Sequence, residues 1–76
     1  MAISEQRWDE IRNDIGRIAA DFILEKNKQK NYSTLSGIIN ELNIELAQCQ
    51  DKRGEYYIEI LEFVHQVYRV RDGLIF

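Results

Sequence analysis

One histidine, one cysteine and thirteen carboxylates are the side chains of this 76-residue chain best suited to proton, nucleophile or metal chemistry. His65 follows Glu62 by three positions, and Glu-x-x-His on a helix is half of the ligand set of a carboxylate-bridged two-metal site inside a helical bundle. Two copies of the chain would supply two such halves, with Glu41 or Glu45 completing the set. The simpler reading puts Glu62 in a solvent-facing line with Glu55, Glu59, Gln66 and Arg69, bordered by His65. A two-residue motif recurs often by chance, so the solvent line is preferred and no metal or other cofactor is expected. Cys49 falls on an apolar stripe, where a thiol packs; reactivity needs an accessible, electropositive setting. One cysteine cannot form an internal disulfide, and one cysteine with one histidine cannot fill a four-ligand zinc site. There is no glycine-rich phosphate loop and no Ser-His-Asp set to place. The chain is therefore read as non-enzymatic.

Three segments must position whatever surface does the work. No proline interrupts the chain, so the breaks are made by other residues. In the first segment Trp8, Ile11, Ile15, Ile18 and Phe22 recur at three and four, one helical stripe. Ser4 caps it, Glu5 suits the positive end of its dipole, and Ile3 with Trp8 occupy the positions of a hydrophobic staple. Gly16, with Ala19 and Ala20, permits another helix to approach closely. Residues 26 to 31 are polar and basic and read as a solvated helix end running into a loop, so the first helix is predicted over 4–30. Tyr32 then covers the start of a second helix capped by Ser33 or Thr34 and predicted over 34–50. Its stripe is Leu35, Ile39, Leu42, Leu46 and Cys49, widened by Ile38, and Gly54 in a left-handed conformation is expected to close it.

The third segment, predicted helical over 55–71, is different. Tyr56, Tyr57, Ile58, Ile60, Leu61, Phe63, Val64, Val67, Tyr68 and Val70 leave only a narrow polar line. A helix this apolar is central to a core or buried on two sides. Two flanking helices cover one side, so the remainder is a candidate interface: Tyr56, Phe63, Val67 and Val70 on one edge, or Ile58, Leu61 and Tyr68 on the other. Two adjacent tyrosines point about 100° apart, which leaves at least one of Tyr56 and Tyr57 at an edge. The tail Leu74, Ile75 and Phe76 is expected to fray unless tied down, and to serve partner binding more than folding. The partner-binding set is thus Tyr56, Tyr57, Phe63, Val67, Tyr68, Leu74, Ile75 and Phe76.

Two alternatives compete. Asp72-Gly73 between apolar runs over 67–76 is a hairpin signal, which would turn the fold into a winged helix. The glutamates nevertheless recur at three and four, not two, and favour helix. Residues Thr34 to Ile44 loosely resemble the first helix and turn of a helix-turn-helix, with Asn43 where glycine is common and Glu45 to Arg53 as the recognition helix. That helix has no net charge, and the whole chain carries −3 with an isoelectric point near 5.0. DNA binding draws on a basic face, so a small helix-turn-helix DNA-binding regulator is kept as the second reading, behind a protein-interaction module, and nucleic acid is not the expected partner.

The expectation is one all-α domain over 1–76, a small three-helix bundle that oligomerises. A domain of this size buries only about 60% of its unfolded surface, which makes a partner chain a natural supplement. It would act as an adaptor, assembly subunit, inhibitor or antitoxin, on a second copy and/or a larger protein. With no basic-then-apolar leader over residues 1–10, no membrane-spanning run and an unpaired cysteine, a cytoplasmic location is expected.

Overall fold

Ser4 opens the first helix as its position predicts: its hydroxyl accepts a hydrogen bond from the Arg7 N–H at 3.1 Å. Ile3, just outside, is buried, and Trp8 packs against the same core. The computed structural model describes residues 3–74 and contains α1 (Glu5–Ile23), α2 (Lys28–Gln48) and α3 (Glu55–Asp72), with no strand among the described residues.

The break between α1 and α2 falls earlier than the sequence pattern suggests, and its cause is a side-chain cluster. Asp21, buried near the end of α1, accepts hydrogen bonds at Oδ2 from Asn31 Nδ2 at 3.1 Å, Asn27 Nδ2 at 3.2 Å and Arg17 Nη1 at 3.4 Å. Those contacts need the chain to reverse at once, which it does with Glu25 and Asn27 in the left-handed region at φ 54° and 58°. Asparagine tolerates that conformation better than most residues. The basic stretch is therefore not the end of α1; Lys28 and Lys30 begin α2, at the end of the helix dipole that disfavours cations. Neither Ser33 nor Thr34 caps it. Asn27 occupies the cap position without a capping side-chain bond, its amide being directed to Asp21, and Thr34 lies within the helix donating to the Lys30 carbonyl. Tyr32 belongs to α2, not to a preceding loop.

At the other end of α2, Gly54 is extended, with φ −69°, and serves as the cap of α3. The terminal carbonyls of α2 are satisfied instead by Lys52, whose Nζ donates to Leu46 O at 2.6 Å and Ala47 O at 3.3 Å. A cation there also suits the negative end of the dipole.

Ile11 and Ile18 of α1, Leu35, Ile38, Ile39, Leu42 and Leu46 of α2, and Ile60, Val64 and Val67 of α3 form the core, joined by Ile3 and Leu74. α2 is the central helix. Its backbone packs closely on α3 and less closely on α1. α1 and α3 both run antiparallel to α2: Trp8, near the start of α1, meets Phe63 in the middle of α3, and Phe22, near the end of α1, lies beside Gly73 just past the end of α3. The Cα trace spans 39 × 23 × 16 Å, so its thin dimension is about that of two helices packed at the usual 8–10 Å.

Leu74 is buried, with its N–H donated to the Arg71 carbonyl at 2.9 Å, so it is a folding residue and not part of a frayed tail. Ile75 and Phe76 lie outside the described residues. The hairpin is absent: Val67 to Asp72 complete α3, and Gly73 remains in a right-handed helical conformation. The helix-turn-helix frame is absent too, because Thr34 to Ile44 lie within one uninterrupted helix and residues 45–53 are its last turn and the following loop. Among the described residues, no helix is long and apolar enough to cross a membrane.

Candidate functional site

α3 distributes its apolar residues over three directions. Ile60, Val64 and Val67 are buried in the core, Tyr56 and Phe63 turn toward α1, and Ile58 stands 46% exposed. On the α1 side the two backbones hardly approach, and side chains bridge the gap. The Trp8 and Phe63 rings meet edge to face, with centroids 5.9 Å apart and planes at 74°. That geometry sets the positive edge of one ring against the negative face of the other.

Around this contact lies a groove of about 540 Å³. Trp8, Tyr56, Ile60 and Phe63 supply its apolar lining, and Glu5, Asp9, Arg12 and Glu59 its polar lining. Tyr56 is fixed there because its hydroxyl donates to Glu45 Oε1 at 2.8 Å. Burial, reinforced by that carboxylate, pushes the phenol up to about 12. Arg12 is engaged by Asp9 at 2.8 Å. Among the described residues, neither Glu5 nor Glu59 has a cation within 4.0 Å. Beyond Phe63 a smaller cavity of about 70 Å³ is lined by Ile15 of α1, Leu35 of α2, and Gln66, Val67 and Val70 of α3. The edge formed by Tyr56, Phe63, Val67 and Val70 therefore lines one seam between α1 and α3.

The other residues singled out from the sequence lie elsewhere. Tyr57 sits under Lys52, whose Nζ is 5.3 Å from the ring centroid. Tyr68 and Tyr32 flank the Arg71 guanidinium at 5.0 and 5.4 Å, an arrangement that fastens α3 to the start of α2. Asn43 Nδ2 donates to the Tyr68 hydroxyl at 3.4 Å, and Arg71 Nε is buried without an acceptor among the described residues. Val67 and Leu74 are almost wholly buried by the chain itself and offer little surface.

Glu62 and His65 are exposed, and among the described residues no group of three His, Cys, Asp or Glu side chains is placed to hold a metal ion. Glu41 is engaged by Arg7, with Nε donating to Oε2 at 2.9 Å and Nη2 to Oε1 at 2.8 Å; Glu45 is buried and accepts from Tyr56. The Arg7 guanidinium holds the Glu41 carboxyl below its ordinary range, and Glu41 in turn raises the pKa of Arg7. Cys49 is half-buried at the end of α2.

Sequence reasoning missed two features. Phe22, placed on the core stripe, is 47% exposed, and Ile23 and Leu24 beside it are 79% and 63% exposed. The available signal was their adjacency: three successive helical positions sweep about 200°, too wide for one core. The acidic rim of the seam was also missed, although Glu5, Asp9 and Glu59 each stand one or three positions from an aromatic of the groove. Gly16, Ala19 and Ala20 are exposed, and a Cβ on Gly16 would meet nothing within 4 Å, so these small residues admit no helix of this chain. Compared with the known protein families, the curated proteins and the solved structures, the chain matches none.

Proposed function

We propose that this domain is a non-enzymatic interaction module that binds another protein chain through the seam between α1 and α3. The observation that carries this reading is the unclosed approach of those two helices, which leaves Trp8, Tyr56 and Phe63 half-buried along a groove. Full burial of a large apolar side chain contributes about 1.5–3 kcal/mol, and half-buried aromatics leave part of that gain unused. A domain of this length has a total stability of only about 4–11 kcal/mol, so the unused part is substantial. An adaptor, an assembly subunit, an inhibitor and an antitoxin all work by such a contact, in a cytoplasmic setting. The occupant is a second copy or a larger protein.

Site-specific photocrosslinking in the cells that make the protein tests this. A benzophenone side chain at position 59 should give discrete protein adducts, while one at the exposed Asn40 of α2 should give few. Absence of adducts from position 59 and from a second seam position, 12, would remove the reading. Light scattering of the purified protein then distinguishes a second copy from a different chain.

A further inference from the structure

We infer that the occupant of the α1–α3 seam is a basic amphipathic helix from a different protein, with apolar side chains against Trp8 and Phe63 and lysines or arginines against Glu5, Asp9 and Glu59. The inference rests on the interaction-module reading and specifies its partner.

Charge decides the chemistry. The groove has three carboxylates, Glu5, Asp9 and Glu59, against one guanidinium, Arg12. Arg12 is already paired with Asp9, which leaves Glu5 and Glu59 with no cation within 4.0 Å among the described residues. Glu62, exposed one turn further along α3, extends the same negative edge. A second copy docked across a two-fold axis would set this acidic rim against itself, and like charges facing each other oppose association. Cationic side chains meet the opposite situation, since the carboxylates attract them.

Shape decides the form. From Tyr56 to Phe63 the groove follows α3 for seven residue steps, about 10 Å at 1.5 Å per residue. An open groove of that length suits about two turns of a docked helix.

Trp8 is the only tryptophan of the chain and lies in the groove, so its fluorescence reports occupancy. The probes are two synthetic peptides of about 16 residues, long enough to carry two contacting turns within a longer helix, that lack tryptophan and tyrosine. They share leucines at i, i+3, i+4 and i+7, flanked by lysine and arginine in one and by glutamate in the other. The basic peptide should shift Trp8 emission saturably, with affinity falling as salt rises, and the acidic peptide should not. Glu59→Lys, at an exposed position without an ion pair, should retain its helical circular dichroism and lose affinity for the basic peptide by at least about tenfold. Equal binding of both peptides, or unchanged binding of the basic one to Glu59→Lys, overturns the inference. So does a dimer that changes Trp8 emission on dilution, which would make a second copy the occupant. Adducts from position 59 without binding of the basic peptide would remove the partner chemistry and keep the module; failure of both would remove both.

Discussion

Leu74 lies just past α3, yet it is 1% exposed and part of the core cluster, so Leu74→Ala tests the packing of this fold directly. Leucine-to-alanine changes at buried sites cost about 2–5 kcal/mol, from lost transfer free energy and from the cavity left behind. Leu74 is held by a short turn beyond the helix, which can relax, so the lower part of that range applies, about 2–3 kcal/mol. Against a total of about 4–11 kcal/mol this is a large fraction. In a domain of this size it lowers Tm by about 8–24 °C, at 4–8 °C per kcal/mol. Ile58→Ala is the matched control: Ile58 is 46% exposed, and the same loss of side chain should cost about 1 kcal/mol or less. Urea and thermal unfolding followed by far-ultraviolet circular dichroism give both numbers. A Leu74→Ala variant within about 0.5 kcal/mol of the parent, or an Ile58→Ala variant that loses as much, would refute the assignment of Leu74 to the core.

Gly37→Ala should raise stability by about 0.5–1 kcal/mol, because Gly37 lies inside α2 and a Cβ there meets nothing within 4 Å; urea unfolding checks it. Tyr56 is raised from 10.0 to about 12, so the folded chain keeps a proton that the unfolded chain releases, and stability should fall as pH rises through that interval. Tyr56→Phe should remove that contribution to the alkaline loss in a pH series of melts. Asp21 is held below its ordinary 3.8, chiefly by hydrogen bonds from Asn31 and Asn27, so its contribution is fully present above that pH and is lost as pH falls through the lower folded value. Asn31→Leu should therefore destabilise the fold at neutral pH, and its melting curve should converge toward that of the parent in acid; a gap that stays constant with pH would contradict the role given to Asp21.

The parts of the fold legible in the sequence are those set by local chemistry. Ser4 and the staple residues Ile3 and Trp8 mark the start of α1, and the three-and-four recurrence of Leu35, Ile39, Leu42 and Leu46 marks the buried face of α2. The α1–α2 break was not legible, because it depends on pairing between residues ten apart. Lysines ordinarily favour a helix C-terminus, and by that rule residues 26–31 close α1. Asp21 reverses the outcome by recruiting Asn27 and Asn31, so lysines sit at the unfavourable end of α2 instead. Gly54 misled in a related way: loop closure fell to the long side chain of Lys52, and the glycine was left for the cap of α3. Helical periodicity grouped Tyr56, Phe63, Val67 and Val70 on one edge and Ile58, Leu61 and Tyr68 on the other, but did not say which edge faces α1; the packing of α1 places the first along the seam. The acidic rim was not legible either, since it depends on how α1 is rotated against α3.

The apolar surplus of α3 is smaller than a count of its residues implies, because three of its tyrosines have polar or cationic neighbours: Tyr56 through Glu45, Tyr57 through Lys52 and Tyr68 through Arg71. These contacts let half-buried rings end against the chain's own polar groups, and among the large apolar residues described on α3 only Ile58 is strongly exposed. The deficit passes to α1. That helix is fastened near its start by Trp8 on Phe63 and Arg7 on Glu41, and near its end by Asp21 on Asn31, while its backbone lies only loosely against α2 and hardly touches α3. An ion pair about one-third exposed on each side contributes about 1 kcal/mol at most, so Arg7 and Glu41 orient α1 more than they hold it. A helix seated in the seam would contact α1 and α3 together and supply the packing that α1 lacks. Binding at this site is then coupled to the stability of α1, and an occupant of the seam should protect the amide hydrogens of α1 from exchange more than those of the already well-packed α2.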